Sequence, residues 1–264
     1  MIHLRSHDYT LLIRRWRRAA AAAGLRLQAF ARSGGYPIYY LSSAPSAKPR
    51  PSIYFSAGIH GDEPAATEGL ISWVEKNPRV LRGIQADIFP CLNPWGLVAN
   101  NRLDIRGRDL NRCFNNPCVP QIRAQLKLFR QRRFDLALTL HEDYDARGLY
   151  IYEVPGRRPH WAEDLLQAAA PHVPPDLRSN IEGRRAKGGI VRRKVSPDMM
   201  PDWPEAFLLH FSHAGRTFTI ETPSEFSIDA RVAAQVAVID LAVRKCLAES
   251  GEILAKPGLR GSAE

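Results

Sequence analysis

The first residues in the sequence that could do chemistry together are a histidine and a glutamate in the segment His60-Gly61-Asp62-Glu63. This segment follows the apolar run 53–55 and precedes a stretch with helical periodicity, so it lies between a predicted strand and a predicted helix. Imidazole and carboxylate groups are both common ligands of catalytic zinc. A histidine and a glutamate at this spacing also occur as a solvated pair at the start of a helix, so the pair alone decides nothing.

Two more ionisable residues stand at the ends of other predicted strands. His141 directly follows the apolar segment 135–140, Glu221 ends the segment 217–220, and Asn93 follows the segment 86–92. In open α/β sheets, ligands gather at the carboxyl ends of the strands. We therefore expect these side chains to converge with the histidine and glutamate described above.

A metal site follows from the types of these residues. His60, Glu63 and His141 supply two imidazoles and one carboxylate, a known ligand set for catalytic zinc that leaves a fourth position for water. Glu221 is a further carboxylate, and it is placed to act as a general base toward the attacking water.

Short apolar strands and helices alternate along the chain and would position these residues. The pattern predicts strands at 25–30, 36–43, 52–57, 86–92, 135–140, 149–154 and 217–222, and helices at 63–75, 121–132, 160–170 and 228–249. Strands that are apolar throughout indicate a mixed, mostly parallel sheet flanked by helices on both faces. We predict one α/β domain over residues 1–264, and we expect residues 171–204 to lie outside its core.

The N-terminal part, about residues 1–50, is predicted to pack on this domain as a helix and a hairpin. Asp8 is a plausible helix N-cap, Gly24 suits the helix end, and Ser33-Gly34-Gly35 suits the hairpin turn. Arginines interrupt the segment 11–25, so we interpret it as an amphipathic surface helix; a secretion signal is the alternative. A loop rich in proline and serine is expected at 43–52.

The composition is that of a soluble globular protein, with 45% hydrophobic and 24% charged residues. No apolar run is long enough to span a membrane. The net charge of +10 comes from basic clusters at 14–18, 130–133 and 184–194, which we interpret as solvated faces because no nucleic-acid motif accompanies them. The cysteines do not form a disulfide or zinc pattern, so reduced thiols in a cytoplasmic protein are expected; they are Cys91, Cys113, Cys118 and Cys246.

The segment 93–115, which lies between Glu63 and His141, adds further motifs in a fixed order. The chain here resembles the zinc carboxypeptidase family, that is, the carboxypeptidase A-like metallopeptidases, which include murein peptide amidases and the succinylglutamate desuccinylase/aspartoacylase branch. The resemblance covers roughly residues 53–224 and rests on His60-Gly61-Asp62-Glu63, Asn93-Pro94-Trp95-Gly96, Arg102, Asp109-Leu110-Asn111-Arg112, His141 and Glu221.

The resemblance implies a role for each matching residue around one zinc ion per chain. His60, Glu63 and His141 would be the zinc ligands. Glu221 would take a proton from the attacking water and pass it to the leaving amine. Asp109 would accept a hydrogen bond from His60 and orient its ring.

On the substrate side, the resemblance implies three more roles. Arg102 would polarise the scissile carbonyl and stabilise the oxyanion. Asn111 and Arg112 would hold a free carboxylate, for which a planar guanidinium is well suited. Arg106 and Arg108 lie close to the same segment, and Arg102 is assigned by its spacing to Asp109.

One departure concerns a tyrosine that classical carboxypeptidases place before the catalytic glutamate, because residues 198–218 contain none. Tyr144, Tyr150 and Tyr152 are interpreted as strand or core aromatics. His210 and His213 are interpreted as surface residues of a helix or strand. The acidic residues that follow the second histidine are interpreted as rim residues; they are Glu142, Asp143 and Asp145.

The predicted function is therefore zinc-dependent hydrolysis of an amide bond beside a free carboxylate, by a metallocarboxypeptidase or a murein-peptide amidase. Deacylation of N-acyl amino acids is an alternative within the same family. A non-catalytic zinc- or peptide-binding module is the alternative from another class. The expected partner is a peptide or an N-acyl amino acid, with no specific nucleic acid and no membrane.

Overall fold

Strands and helices alternate through most of the chain in the computed structural model, which describes residues 5–44, 50–115, 117–155 and 159–251. The strands are β1 (Gln28–Ser33), β2 (Tyr36–Ser42), β3 (Ser52–Ser56), β4 (Gln85–Phe89), β5 (Leu136–Asp143), β6 (Tyr150–Glu153), β7 (Asn180–Ile181), β8 (Arg184–Arg185), β9 (Ile190–Val191) and β10 (Thr217–Pro223). The α-helices are α1 (Tyr9–Ala22), α2 (Pro64–Lys76), α3 (Pro78–Gly83), α4 (Pro94–Ala99), α5 (Pro120–Phe129), α6 (Ala162–Ala169), α7 (Glu205–Leu208) and α8 (Ile228–Glu249). Two 3-10 turns and one π-helical turn are also present, at Leu110–Arg112, Pro197–Met199 and Leu209–His213.

The main sheet of the described chain has eight strands in the order β1-β2-β4-β3-β5-β10-β6-β9. The central strands β4, β3, β5 and β10 run parallel, whereas the β1–β2, β2–β4 and β10–β6 pairs are antiparallel. The predicted fold class is confirmed. Every predicted strand and helix is present, with its ends shifted by up to three residues.

Helices cover both faces of this sheet, and strand β3 shows how the sequence achieves this. Ile53 and Phe55 pack into the large core cluster that contains α1, α2, α6 and α8. Tyr54 points to the opposite face and packs into the cluster that contains α5. Successive side chains of a strand alternate between faces, so a strand buried on both sides must be apolar at nearly every position.

The N-terminal helix α1 begins and ends where the sequence predicts. The Asp8 carboxylate accepts a hydrogen bond of 2.8 Å from the Leu11 backbone N–H, and Gly24 has a φ of +72° just after the helix. Trp16 is fully buried in the main core cluster. Arg15 pairs with Glu68 and Glu75 of α2, so packing in the core and ion pairs with α2 both hold the helix in place.

The predicted hairpin is formed by β1 and β2, which pair antiparallel. Gly34 and Gly35 at its turn both have positive φ, as a tight hairpin turn requires. A side chain at Gly34 would collide with Trp95 of α4, so the tip of the hairpin contacts the segment that leads to the candidate site. Half of the expected loop at 43–52 lies outside the described residues, which resume at residue 50.

The expectation that residues 171–204 lie outside the core is wrong in part. Strand β9 pairs with β6 and extends the main sheet, and Val173 and Ile181 are fully buried. The segment holds many prolines, glycines and arginines, and its strands are only two residues long, so it lacks the periodicity that identifies a strand in a sequence.

All four cysteines carry free thiols, as expected. Among the helices in the described ranges, none combines the length and the apolar character that crossing a bilayer requires. The basic clusters are only partly solvated, because Arg132 pairs with Asp87, and Arg192 pairs with Glu153 and a second glutamate.

Candidate active site

The structure brings His60, Glu63 and His141 together at the carboxyl ends of the central strands. His60 lies in the loop between β3 and α2, Glu63 is the N-cap residue of α2, and His141 lies on β5. Both rings point Nδ1 at the same carboxylate: His60 is 2.5 Å from Glu63 Oε1, and His141 is 2.9 Å from Glu63 Oε2. Within the part of the chain that the structure describes, this is the one cluster of at least three side chains able to hold a metal ion.

His141 does not follow β5, as the sequence suggested, but lies within it. The strand continues to Asp143 because β10 pairs with it in parallel up to that residue, with Glu221 opposite His141. The backbone of this position is also held from α8, because Gln235 Nε2 donates a hydrogen bond of 2.9 Å to the His141 carbonyl. The strand pairing thus fixes His141 and Glu221 side by side.

The loop that carries His60 depends on a close approach of two backbones. A Cβ at Gly61 would lie 1.9 Å from the carbonyl carbon of Gly96, the glycine of the Asn93-Pro94-Trp95-Gly96 motif. Asn93 does not line the cavity: its Oδ1 accepts a 3.0 Å hydrogen bond from the Gly96 N–H, and its Nδ2 donates to the Leu103 carbonyl. Asn93 therefore holds the loops around the site in place.

Charges within the cluster stabilise one another. Burial alone would lower the pKa of His60, but the carboxylates of Glu63 and Asp109 outweigh burial and raise this pKa to about 9. Burial would raise the pKa of Glu63, but the neighbouring His60 and His141 lower it to about 2. The site therefore has an ionised carboxylate between two strongly basic rings, and such donors can bind a metal cation when it displaces their protons.

Asp109 and Arg102 lie against this cluster. Asp109 Oδ1 is 3.1 Å from His60 Nε2, on the ring edge opposite Glu63. Arg102 donates to Asp109 Oδ2 at 3.2 Å, and its other terminal nitrogen is 3.5 Å from Glu63 Oε1. The Arg102 side chain is 44% exposed, so a ligand in the cavity can reach it. Arg108 instead pairs with Asp104, and Arg106 does not line the cavity.

Glu221 lies on β10 and is half-buried beside the same cluster. Burial and the nearby Glu63 carboxylate raise the pKa of Glu221 well above its usual range, although the charge of His141 opposes the rise. A carboxylate with a raised pKa accepts a proton more readily than an ordinary glutamate.

Asn111 and Arg112 lie on the 3-10 turn Leu110–Arg112 and line the same cavity. Asp109 caps this turn, because its Oδ1 accepts a 2.9 Å hydrogen bond from the Asn111 N–H. Asn111 Oδ1 accepts a 2.8 Å hydrogen bond from the Glu205 N–H, and the exposed Arg112 guanidinium donates to the Asn111 carbonyl. Asp109 thus contacts both His60 and the turn that carries Asn111 and Arg112.

A cavity of about 290 Å³ lies at this site, and all of the proposed ligands and substrate-binding residues line it, whereas Asp109 does not; the lining includes His60, Glu63, Arg102, Asn111, Arg112, His141 and Glu221. Its far wall comes from β6 and from the segment 182–207. The sequence pattern predicted strand β6, but it did not indicate that this strand or the segment 182–207 faces the site. Residues of that wall include Tyr152, Glu182, Arg184, Arg193, Met200 and Phe207. No motif marks them, because they come from short strands and turns that only the folded chain brings to the site.

Two interpretations of nearby residues need correction. Glu142 is not a rim residue: it is buried, it accepts a 2.6 Å hydrogen bond from the Ala65 N–H at the start of α2, and it pairs with Arg231. Tyr144 is not a core aromatic, because it lies exposed in a turn at the cavity edge. Tyr152 lies on β6 as expected, but it also lines the cavity.

The remaining polar residues of the prediction lie as follows. Asp143 ends β5 and lines the cavity, where it accepts a hydrogen bond from the buried Tyr150 hydroxyl, and Asp145 is exposed. His210 and His213 lie on the π-helical turn, and His213 Nδ1 is 3.0 Å from the Arg132 carbonyl oxygen.

Comparisons with known proteins agree with this arrangement. The sequence model of the succinylglutamate desuccinylase/aspartoacylase catalytic domain matches residues 49–180, which is half of the chain. Human carboxypeptidase D is 33% identical over 111 residues, a match that covers 34% of this chain and 8% of the human protein.

Solved structures share the fold. A protein of Shewanella amazonensis SB2B, provisionally described as a metallopeptidase, superposes with a TM-score of 0.81 at 22% identity, covering 91% of this chain and 94% of that protein. A metallo-carboxypeptidase of Pseudomonas aeruginosa, solved in complex with (2-guanidinoethylmercapto)succinic acid, has a TM-score of 0.62 at 18% identity, covering 90% and 69%. The motifs, the fold and the family match together show that this chain belongs to the succinylglutamate desuccinylase/aspartoacylase family of zinc carboxypeptidase-like hydrolases.

Proposed function

We propose that this protein is a zinc-dependent hydrolase that cleaves an amide bond beside a free carboxylate. The observation that carries the proposal is the convergence of two kinds of group on one cavity. His60, Glu63 and His141 form the metal-ligating cluster, and Asn111 and Arg112 line the same space with groups that bind anions.

The donor set fits zinc. Two imidazole nitrogens and one carboxylate oxygen lie within 4.8 Å of one another, all three residues are buried, and a neighbouring carboxylate holds the far side of the His60 ring. Such a set leaves one position open, as catalytic zinc sites do. When bound there, zinc would polarise the substrate carbonyl and lower the pKa of a water molecule to about 7. We propose one ion per chain.

The chain's own residues would carry the proton and the developing charge. Glu221 accepts a proton from the attacking water and donates it to the leaving amine, a role for which its raised pKa is suited. Arg102 reaches the cavity beside Glu63 and stabilises the oxyanion with its guanidinium. Asp109 holds the His60 ring with Nδ1 directed toward Glu63, so that this nitrogen would be available to the metal.

The substrate carboxylate would bind between Asn111 and Arg112. A guanidinium can donate two parallel hydrogen bonds to a carboxylate, and the side-chain NH₂ of Asn111 can add a third. The Pseudomonas aeruginosa neighbour binds a succinic acid derivative, which carries free carboxylates, and this agrees with recognition of an anionic group in this fold.

Two substrate classes share this chemistry. The motifs favour a carboxypeptidase or a murein-peptide amidase, which would act on the C-terminal residue of a short peptide. The family match and the cavity of about 290 Å³ favour deacylation of an N-acyl amino acid, because the cavity is at the small end of the range for ligand sites. A non-catalytic binding module is disfavoured, since every proposed ligand and the general base are present. The four free thiols agree with a cytoplasmic location.

The test is an assay of the zinc-loaded protein against N-acyl amino acids, short peptides and muropeptides, each as the free acid and as the C-terminal amide. We expect cleavage of at least one free acid, with kcat/KM lower for its amide by about tenfold to a few hundredfold, as expected for loss of a charge-assisted contact. This preference should persist at high salt, because a diffuse basic field is screened whereas a direct contact is not. Equal cleavage of acid and amide at both salt concentrations would contradict the carboxylate-binding role.

A further inference from the structure

A buried glutamate whose chain neighbours line the cavity belongs to no motif and takes no part in the proposed chemistry. Glu205 is the first residue of α7, and only 1% of its surface is exposed. Its Oε1 accepts hydrogen bonds from the Tyr54 hydroxyl at 2.6 Å and from Gln125 Nε2 at 2.7 Å, and its Oε2 accepts one from the Ser56 hydroxyl at 2.5 Å. These donors are neutral, so the carboxyl group is held by hydrogen bonds rather than by an ion pair.

The donors to Glu205 come from two parts of the fold. Tyr54 and Ser56 lie on β3, the strand that leads to His60, and Gln125 lies on α5. Gln125 also donates to the Tyr54 hydroxyl at 2.8 Å, which closes the network. The Glu205 carboxylate therefore fixes the start of α7 to the central sheet and to the helix that covers it.

The backbone of Glu205 extends this network to the substrate side of the cavity. Its N–H, which is free of any helical bond because it opens α7, donates to Asn111 Oδ1 at 2.8 Å. Since that partner is a donor, the atom it contacts must be the amide oxygen, and the orientation of the Asn111 amide is thereby determined. Asn111 lines the cavity, so its NH₂ group is the part left for a ligand.

We propose that Glu205 is a positioning residue. Its buried carboxylate fixes the first turn of α7, and the backbone of that turn orients the Asn111 amide so that its NH₂ group faces the substrate. Pro204, Ala206 and Phe207 line the same cavity, so this turn also forms part of its wall. The inference rests on the proposed function, in which Asn111 binds the substrate carboxylate.

A second connection between the same two segments makes the inference testable. The Trp203 N–H donates to Asn115 Oδ1 at 3.0 Å, and the Phe114 N–H donates to the Trp203 carbonyl at 3.2 Å. These bonds do not involve the Glu205 side chain, so in its variants they should keep the segments together while the first turn of α7 becomes less constrained. We therefore expect folded variants with a displaced Asn111 amide.

The experiment compares Glu205→Leu with the milder Ser56→Ala, which removes one of the three donors. The readout is kcat/KM for the free acid divided by kcat/KM for its amide. Glu205→Leu should lower this ratio about fivefold or more, mainly through KM of the free acid, and Ser56→Ala should lower it less. Zinc content should not change. The control is Glu68→Leu, which removes another buried carboxylate; Glu68 pairs with Arg15 and does not line the cavity, so this change should lower Tm and leave the ratio unchanged.

A double-mutant cycle identifies the route. In an Asn111→Ala background, Glu205→Leu should cause no further change in the ratio, because the group that it positions is gone. An unchanged ratio in both folded variants, or an equal further drop without Asn111, would overturn the inference.

A second readout does not depend on activity. The side-chain NH₂ signals of Asn111, assigned by loss in Asn111→Ala, should shift toward those of a solvated amide in Glu205→Leu and Ser56→Ala, and not in Glu68→Leu. Unchanged signals would overturn the role of Glu205, whatever the substrate preference of the wild-type protein. A wild-type protein without a preference for free acids would instead contradict the proposed function.

Discussion

Glu221 and His141 are neighbours across paired strands, yet only one of them is proposed to hold the metal. Glu221→Gln should therefore keep zinc and lose turnover, because an amide cannot accept the proton of the attacking water. We expect kcat to fall by about 10²–10⁴, the usual contribution of a general base. His141→Ala is the matched change on the next strand, and it should lose zinc as well as activity.

Metal analysis and steady-state kinetics on the same preparations check this prediction. A Glu221→Gln protein whose turnover stays within about tenfold of the wild type would mean that another group acts as the base. Unchanged zinc affinity in His141→Ala would contradict the proposed ligand set.

Zinc binding should depend on pH in a direction that the His60 pKa determines. In the metal-free protein this pKa is raised to about 9, so below that pH the ring carries a proton that zinc must displace. Affinity should rise by at least about tenfold per pH unit between pH 6.5 and 9 and then level off. His213→Ala, which changes a histidine outside the site, should leave the slope unchanged.

Competition titrations with a chelator of known proton affinity measure this slope. Zinc affinity that does not vary over this pH range would mean that His60 is not a ligand.

The raised pKa of His60 also affects the stability of the metal-free protein. It stabilises the fold at pH values below about 6.5, the pKa of histidine in the unfolded chain, and this contribution is lost as the pH rises through 9.

At the level of secondary structure, the sequence could predict those parts of the site that lie in short motifs or at the ends of apolar strands. His60, Glu63, His141 and Glu221 follow or lie within strands that are apolar throughout, and parallel pairing brings such strand ends to one edge. The position of His141 inside β5 could not be predicted, because the pairing with β10 that extends the strand is a long-range contact.

The far wall of the cavity and the Glu205 network could not be predicted for a related reason. They depend on side chains from two-residue strands and a four-residue helix, which are too short for hydrophobic periodicity to show. Glu205 meets Tyr54 across 151 residues of sequence. A buried carboxylate held by neutral donors has no local signature in the sequence, because its partners come together only when the strands and helices pack.

The loop between β3 and α2 has no room for a side chain at Gly61, because this residue packs against the backbone of α4. Gly61→Ala would place a methyl group within 1.9 Å of the Gly96 backbone, so either the His60 loop or α4 must move. We expect zinc affinity to fall by at least about tenfold, comparable to the loss of an orienting group, and Tm to fall with it. Gly83→Ala is the control, because nothing lies within 4 Å of its added Cβ and it should change neither property.

Isothermal titration of zinc into the apoprotein and thermal unfolding monitored by circular dichroism measure both effects. If Gly61→Ala binds zinc as tightly as the wild type, the close backbone contact does not position His60.

At the scale of the whole molecule, the N-terminal helix and hairpin are proposed to be part of the single domain. Helix α1 buries Trp16 in the main core cluster, which also contains residues of α2, α8 and the central strands. Arg15 adds hydrogen bonds of 2.9 and 2.8 Å to Glu75 on α2. A segment that shares its core with the sheet should not unfold separately from it.

Trp16→Ala should therefore destabilise the whole protein, by about 3–5 kcal/mol, because it leaves a large cavity in the shared core. In urea, α1 and the metal site should be lost in one transition, since the cluster that contains Trp16 also contains Leu138 and Leu140 of the strand that carries His141.

Far-UV circular dichroism follows the helices, and release of zinc to a colorimetric chelator follows the site. The two curves should coincide for the wild type and, at lower urea, for Trp16→Ala. Arg14→Ala is the control on the exposed side of the same helix, and it should leave the midpoint nearly unchanged. If the helical signal of α1 is lost while zinc stays bound, the N-terminal segment is a separate unit and the single-domain proposal is wrong.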